Sequence, residues 1–231
     1  MRIGLVLLNF NEIEAVPDLL TKLDTSLFQN VIAIDGGSID GSRELLQKSG
    51  IRVILQSSKG RGDAFRLGFC DAQISSLDAL VFLSTDGNEN SDDLSKFVSG
   101  LNAGYDLVIG SRMIAGARNE EDNQLFRPRK MANKTLAIFA HKLFGRRSRK
   151  ITDPINGFRG ITFSAWERMQ VSFQGYDIEF ATSIRAYQLD LKVLEFPTIE
   201  KNRIGGESGA HAVPTIYLML RVIYKMLLKK D

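Results

Sequence analysis

Five short apolar runs, at residues 3–9, 31–35, 52–55, 79–84 and 106–110, alternate with segments whose apolar residues fall three and four apart, at 15–27, 41–48, 63–74 and 92–101. Most of the runs are apolar on both faces, as in strands covered on both sides, and the segments between them have the period of helices. This alternation needs crossover connections, so the pattern predicts an α/β fold with a mostly parallel sheet and helices on both faces. After Arg112 the pattern changes to a polar loop reaching Gln124, a basic helix to about Phe144 and the Gly- and Pro-marked stretch "ITDPINGFRG". A helix at 177–188, a strand at 191–196 and a last helix from Pro214 complete the expectation.

Open parallel sheets bind ligands beyond the carboxyl ends of their strands. Three such ends are polar here: Asn9-Phe10-Asn11-Glu12, Asp35-Gly36-Gly37-Ser38 and Asp86-Gly87-Asn88. They outline one site on one rim.

Composition adds bounds. A chain of 231 residues, 44% hydrophobic and 25% charged, is ordinary for a soluble globular protein and long enough for one domain with a sizeable core. No nucleic-acid partner is expected; the mild net charge of +3 says little about partners, and its distribution says more, since nine Lys or Arg and no acid fall between Arg127 and Lys150. One cysteine, Cys70, excludes an internal disulfide and suits a reducing compartment. The N-terminus enters a strand-like run directly, without a signal peptide. The longest apolar stretch, 216–228, contains Arg221 and Lys225 and falls short of the roughly 20 residues that a spanning helix needs. The expectation is a cytoplasmic protein, soluble or held peripherally at the inner face of the membrane.

The candidate chemistry sits in short stretches. In "VIAIDGGSIDGSREL", Asp35 closes a strand and Asp40 or Ser42 could cap the next helix, so the stretch reads equally as a tight turn or as a nucleotide pocket. In "QSSKGRGDAFRLGF", Lys59, Gly60, Arg61 and Gly62 precede a helix whose N-terminus would attract phosphate. In "VFLSTDGNENSDDL" an apolar strand stops at Asp86 with a single acid, where metal chemistry usually takes two. His141 and His211 lack partners at metal-ligand spacing.

These stretches, with "LLNFNEIEAVPDLL", "LVIGSR", "TDPINGFRG", "GYDIEFATSIRA" and "LEFPTIEKNRIGGESG", occur in the order found in family 2 glycosyltransferases. Over about residues 3–209 the chain resembles the branch of dolichol-phosphate and polyprenyl-phosphate mannosyl- and glucosyltransferases. The resemblance implies the GT-A fold, a Rossmann-like sheet, in one domain: a nucleotide-sugar half at 1–112, an acceptor half at 113–210 and an amphipathic C-terminal helix at 211–231. It also implies inverting transfer of a sugar from UDP- or GDP-sugar to a lipid phosphate.

On that resemblance, Asn11, Glu12, Asp35, Lys59, Gly60 and Asp86 would hold the nucleotide sugar. Asp86 and Asn88 would hold Mg²⁺ or Mn²⁺, weakly in the absence of nucleotide, because Ser84 stands where relatives carry the first acid of Asp-x-Asp. Gly36 likewise replaces an acid. Arg112, Arg203 and one of Arg127 or Arg129 would neutralise phosphates, and Gly209 follows Ser208 where relatives often have Lys. Asp177 and Glu179 would orient the acceptor, or activate it if it is a hydroxyl of a growing glycan. A catalytically impaired nucleotide-sugar-binding protein is the rival from another class. The helix near 131–144 would place Ala132, Leu136, Phe139 and Leu143 on one face and Lys130, Lys134 and His141 on another, suiting an anionic membrane surface. The last helix, with Arg221, Lys225 and Lys229 every four residues, fits the membrane or a homodimer contact equally.

Overall fold

In the computed structural model, which describes residues 1–145, 148–205 and 212–228, with side chains of the last segment described from Leu218, seven strands form one sheet. The strands are β1 (Ile3–Asn9), β2 (Asn30–Asp35), β3 (Arg52–Leu55), β4 (Ala79–Ser84), β5 (Leu107–Ser111), β6 (Arg159–Thr162) and β7 (Val193–Pro197). Their order is β3-β2-β1-β4-β6-β5-β7. All neighbours run parallel except β6, which lies antiparallel between β4 and β5.

Alternate residues of each central strand feed two cores. Leu5, Leu7, Val81 and Leu83 face α1 (Val16–Lys22), α2 (Ser42–Lys48) and α4 (Leu94–Asn102), where Leu19, Leu46 and Phe97 pack. Val6, Leu8, Leu80 and Phe82 face α3 (Arg61–Ile74), α6 (Phe163–Met169) and α7 (Ile178–Gln188), with Phe65 stacked on Phe82 at 3.9 Å. Two further helices, α5 (Pro128–Phe144) and α8 (Ala212–Leu228), extend the second core through Leu136, Ala140, Met219, Val222 and Met226. Burial on both faces is why these strands read as continuous apolar runs.

The structure corrects the sequence expectation in four places. Segment 15–27 is not one helix: α1 stops at Lys22, and Asp24 then caps a short 3-10 turn by accepting from the Ser26 amide. Its apolar spacing continued across a break that only the Asp24 side chain marks. Strand β6 and helix α6 were not foreseen. Helix α5 is also rotated relative to its expected face. Leu136 packs inward with Asn133, Ala137 and Ala140, whereas Met131, Ile138, Phe139 and Leu143 are exposed. Lys229 and His211 lie outside the described residues. Among the described residues, no helix is long and apolar enough to cross a membrane.

Candidate active site

A cleft of about 660 Å³ opens along the carboxyl ends of β1, β2, β4 and β5. Asn9, buried at the end of β1, ties three strand ends together. Its Nδ2 donates to Asp35 Oδ2 (2.7 Å) on β2, and its Oδ1 accepts from Thr85 Oγ1 (2.8 Å) after β4. Asp35 is wholly buried, accepting from the amides of Gly37 and Ser38 and from the side chains of Asn9 and Ser38. The carboxylate builds the rim and does not line the cleft. Asn11 likewise shapes the rim: it adopts a left-handed φ of 55°, which Asn tolerates, while its amide donates to Ser38 Oγ and its Oδ1 accepts from Ile39. Gly36 does line the cleft, and a Cβ there would come 3.0 Å from the Phe10 ring.

Glu12 faces the cleft and is ion-paired with Arg203, but its Oε2 is buried without a hydrogen-bond partner. Burial pushes its carboxyl up to about 7; Arg203 opposes the rise and Asp86 adds to it. Arg203 also reaches Asp86 Oδ2 at 2.9 Å. The segment carrying it lies on the β4 end, with the Lys201 and Ile204 amides donating to the Asn88 and Asp86 carbonyls. The remainder of the loop expected to cover phosphates, including Ser208 and Gly209, lies outside the described residues.

Beyond β4, Asp86 accepts from the Asn88 amide (3.1 Å), and Asn88 Nδ2 donates to the Lys201 carbonyl (2.9 Å). Glu89, which sequence reasoning passed over, folds back so that its Oε2 accepts from the Ser84 amide at 2.7 Å. It lines the cleft with Asp86, and burial, reinforced by Asp86 and opposed by Arg61, pushes its carboxyl up to about 8.

Lys59 and Gly60 line the same cleft. Gly60 has a φ of 117°, and a Cβ there would lie 2.1 Å from the Gln174 carbonyl, so the close approach of segment 173–175 requires glycine. Arg61, noted in the sequence only as part of the turn before this helix, lies 2.6 Å from Glu179 and over the Tyr176 ring. Gly157 leaves room for it, since a Cβ there would meet Arg61 Nη2 at 2.0 Å. Both Arg61 and Glu179 line the cleft; Asp177 does not, and accepts from the Gly175 amide at the start of α7.

Arg112 lines the cleft but its donors go to carboxylates. Nε and Nη2 grip Asp153 (2.8 and 2.9 Å), and Nη1 donates to Glu200 (2.9 Å). Burial disfavours its charge, yet the two carboxylates outweigh burial and raise its pKa well above the ordinary value. Of the two remaining cation candidates, Arg129 lines the cleft and pairs with Glu120, whereas Arg127 folds onto Asp122 away from it. The far wall is apolar, built from Met113, Leu136, Ile155 and Met219.

Among the described residues, five cleft cations (Lys59, Arg61, Arg112, Arg129, Arg203) face six carboxylates (Glu12, Asp86, Glu89, Glu120, Glu179, Glu200). Glu12 and Glu89, with carboxyls raised to about 7 and about 8, carry only part of that negative charge near neutral pH, but four of the five cations are already paired with carboxylates, so a metal ion would add positive charge that a diphosphate needs. No three His, Cys, Asp or Glu side chains among the described residues converge as a closed metal cage. The donors present suit Mg²⁺ or Mn²⁺ all the same: carboxylate and amide oxygens of Asp86, Asn88 and Glu89, with Arg203 already placing a positive charge on Asp86. Such ions take hard oxygen ligands and draw several from water and substrate phosphates.

The family model described as Glycosyl transferase family 2 matches residues 5–169. The chain belongs to glycosyltransferase family 2. This family 2 glycosyltransferase is 31% identical to glycosyltransferase AglJ of Haloferax volcanii, over 82% of this chain and 59% of that protein. It is 28% identical to a dolichol-phosphate mannosyltransferase of Pyrococcus furiosus, over 98% and 64%. The chain thus spans about six-tenths of the length of these two relatives. It is 26% identical to an undecaprenyl-phosphate mannosyltransferase of Micrococcus luteus, over 90% and 87%. Its fold matches glucosyl-3-phosphoglycerate synthase of Mycobacterium tuberculosis, solved with Mn²⁺, UDP and phosphoglyceric acid, at a TM-score of 0.71 and 18% identity, covering 98% of this chain and 77% of that one. The seven-stranded, mostly parallel sheet is therefore the GT-A architecture expected from the sequence.

Proposed function

We propose that this glycosyltransferase moves a hexose from UDP- or GDP-sugar to a polyprenyl phosphate at a membrane surface, inverting the anomeric carbon. The observation that carries the reading is the two-ended cleft: a polar end with Asp86, Asn88 and Glu89, and an apolar wall of Met113, Leu136, Ile155 and Met219 between α5 and α8. The polar end suits a nucleotide diphosphate and the apolar end suits a lipid. Relatives named for dolichol phosphate and undecaprenyl phosphate support the acceptor, and a GT-A neighbour solved with UDP and Mn²⁺ supports the donor.

In this reading the acceptor phosphate oxygen attacks the anomeric carbon while the bond to the diphosphate breaks on the opposite face. The acceptor is already ionised and needs no general base. Charge builds on the leaving diphosphate, and fixed cations at that point lower the barrier most. A divalent ion supplies part of that charge when bound to Asp86 and Asn88. Arg203 turns from Asp86 and Glu12 to the phosphates, while Glu12, Lys59 and Gly60 line the donor side. Asp35 and Asn11 hold the rim in shape beneath the nucleoside. Arg129 meets the acceptor phosphate, and Arg112 keeps the acceptor wall in place through Asp153. Asp177 and Glu179 position groups at the start of α7.

Exposed Leu125, Phe126, Met131 and Phe139 beside the basic residues of α5 give the surface that meets an anionic membrane. On α8, exposed Leu220, Tyr224, Leu227 and Leu228 extend the membrane surface or meet a second copy.

The test incubates the protein with UDP-glucose or GDP-mannose and vesicles containing a polyprenyl phosphate, and follows label into the organic phase. Label from one donor that appears only with the lipid and a divalent ion supports the proposal. A second reading, transfer to a glycan hydroxyl, is favoured by Glu179, whose Oε2 is buried in the cleft wall without a hydrogen-bond partner. It requires turnover without lipid phosphate and its loss in E179Q.

A further inference from the structure

We infer that Glu89 is a direct ligand of the divalent cation, so that the cation is held by a carboxylate pair, Asp86 and Glu89, which is not contiguous along the strand. The inference rests on the metal-dependent reading above and adds a residue to it.

Three observations point to Glu89. First, its side chain turns back over the 86–89 turn, made possible by Gly87 at φ 73°, and is pinned by the Ser84 amide at 2.7 Å. One carboxylate oxygen is thereby fixed at the end of β4, and the group lines the cleft with Asp86 and Asn88. Second, Asp86 has Arg203 as a counter-ion, but among the described residues no cation lies within ion-pair distance of Glu89. A part-buried carboxylate beside another carboxylate and without a paired cation takes up either a proton or a cation, and it is free to ligate a metal ion that displaces the proton. Third, Glu12 Oε2 is buried in the wall of the same cleft with no hydrogen-bond partner, while Arg203 places a positive charge between Glu12 and Asp86. Arg203 thus shows that positive charge is accommodated beside Asp86.

The donor set is oxygen only. Two carboxylates and one amide leave several positions of an octahedral ion for diphosphate oxygens and water, as Mg²⁺ and Mn²⁺ prefer. Ser84, which cannot replace an acid itself, still contributes: its amide fixes the acid that comes from five residues downstream.

The experiment is a Mn²⁺ titration followed by the electron paramagnetic resonance signal of the free ion, with UDP or GDP present, on the wild type, E89Q, D86N and S84D/E89Q. Gln at position 89 keeps an oxygen to accept from Ser84, so E89Q removes the charge and spares the turn. Partners of metal ligands alone change affinity about 10- to 100-fold. E89Q should therefore weaken Mn²⁺ binding by about tenfold or more, and S84D/E89Q should restore it to within about threefold by placing an acid on the strand itself. Wild-type affinity in E89Q, with loss in D86N, overturns the role of Glu89 and leaves the metal reading standing. Failure of S84D/E89Q to regain binding assigns Glu89 a structural part only and overturns it too. No Mn²⁺ binding by the wild type with either nucleotide overturns both readings.

Discussion

Arg203 Nη1 lies 2.9 Å from Asp86 Oδ2, and the same guanidinium holds Glu12. One cation therefore closes the segment after β7 over the acids at the ends of β1 and β4. In the proposed mechanism, opening this contact is a step driven by ligand binding. R203Q should bind Mn²⁺ several-fold more tightly than the wild type when no nucleotide is present, because a competing charge is gone. It should also lose about 10²-fold in turnover, the usual effect of removing one fixed donor from a developing anion. Free-ion resonance and initial rates check the two effects separately.

Glu12 and Glu89 carry carboxyls raised by burial to about 7 and about 8. Between the unfolded value of 4.5 and these values the folded chain holds more protons than the unfolded one. Stability contributed by the two groups is thus present at low pH and is lost as pH rises through 7 and 8. Removing one of the two groups should flatten that loss. The Tm of E89Q, measured without ligand, is expected to gain on the wild type steadily from about pH 5 to about pH 8. A constant difference across the range would contradict the assignment.

The Arg112 guanidinium neutralises Asp153, which is wholly buried, and also holds Glu200. Removing one side of a buried ion pair strands the other, at about 3–5 kcal/mol. R112A should lose that much in urea unfolding. R112K, which cannot grip Asp153 with two parallel donors, should lose an intermediate amount.

Gly157 and Arg61 should behave as one unit. A methyl at position 157 meets Arg61 Nη2 at 2.0 Å and drives the guanidinium off Glu179. G157A is expected to lower kcat/KM, and to do so far less in an R61A background. A four-member cycle of G157A, R61A and the double variant should show a coupling of about 0.5–3 kcal/mol.

Leu125 and Phe126 are exposed just before the basic helix α5. Burying such side chains in an acyl layer yields about 1.5–3 kcal/mol each. L125S/F126S should weaken sedimentation with anionic vesicles by tenfold or more and leave the Tm unchanged.

The parallel half of the sheet was legible because doubly buried strands are written as unbroken apolar runs, and β1 and β4 match the runs at 3–9 and 79–84. Strand β6 was hidden by its brevity and by Arg159. That wholly buried guanidinium donates to the carbonyls of Pro154, Asn156 and Glu179, and burial draws its pKa down to about 10. No sequence pattern tells an arginine satisfied by backbone carbonyls, here two from the preceding loop and one from α7, from a solvated one. At the site, the rim was readable because strand ends turn polar. The partition of its residues was not: Asp35, Asn11 and Asp177 spend their oxygens on backbone amides, whereas Arg61 and Glu89 face the cleft. Gly157 clears space for Arg61, and Gly60 and Gly62 admit segment 173–175 beside it. For Glu89 the signal was an acid shortly after a strand end that lacked one.

Strand β6 enters the sheet in the opposite sense to its neighbours, so the chain leaves the rim at Ser111 and returns to the same rim at Arg159. Everything between departs from and comes back to one edge of the working surface, like a drawer in a fixed frame. Helix α5, Arg129 and three residues of the apolar wall, Met113, Leu136 and Ile155, are in that drawer, while Met219 comes from α8. The frame carries the acids after β1 and β4, and the drawer is tied back to it by Asn156 on the Gly110 carbonyl, Thr152 on Glu195 and the space Gly157 leaves for Arg61. Under the proposed function, acceptor preference would change by exchange of residues within 113–158 that spares Asp153, Asn156 and Gly157, while the strand order stays as it is.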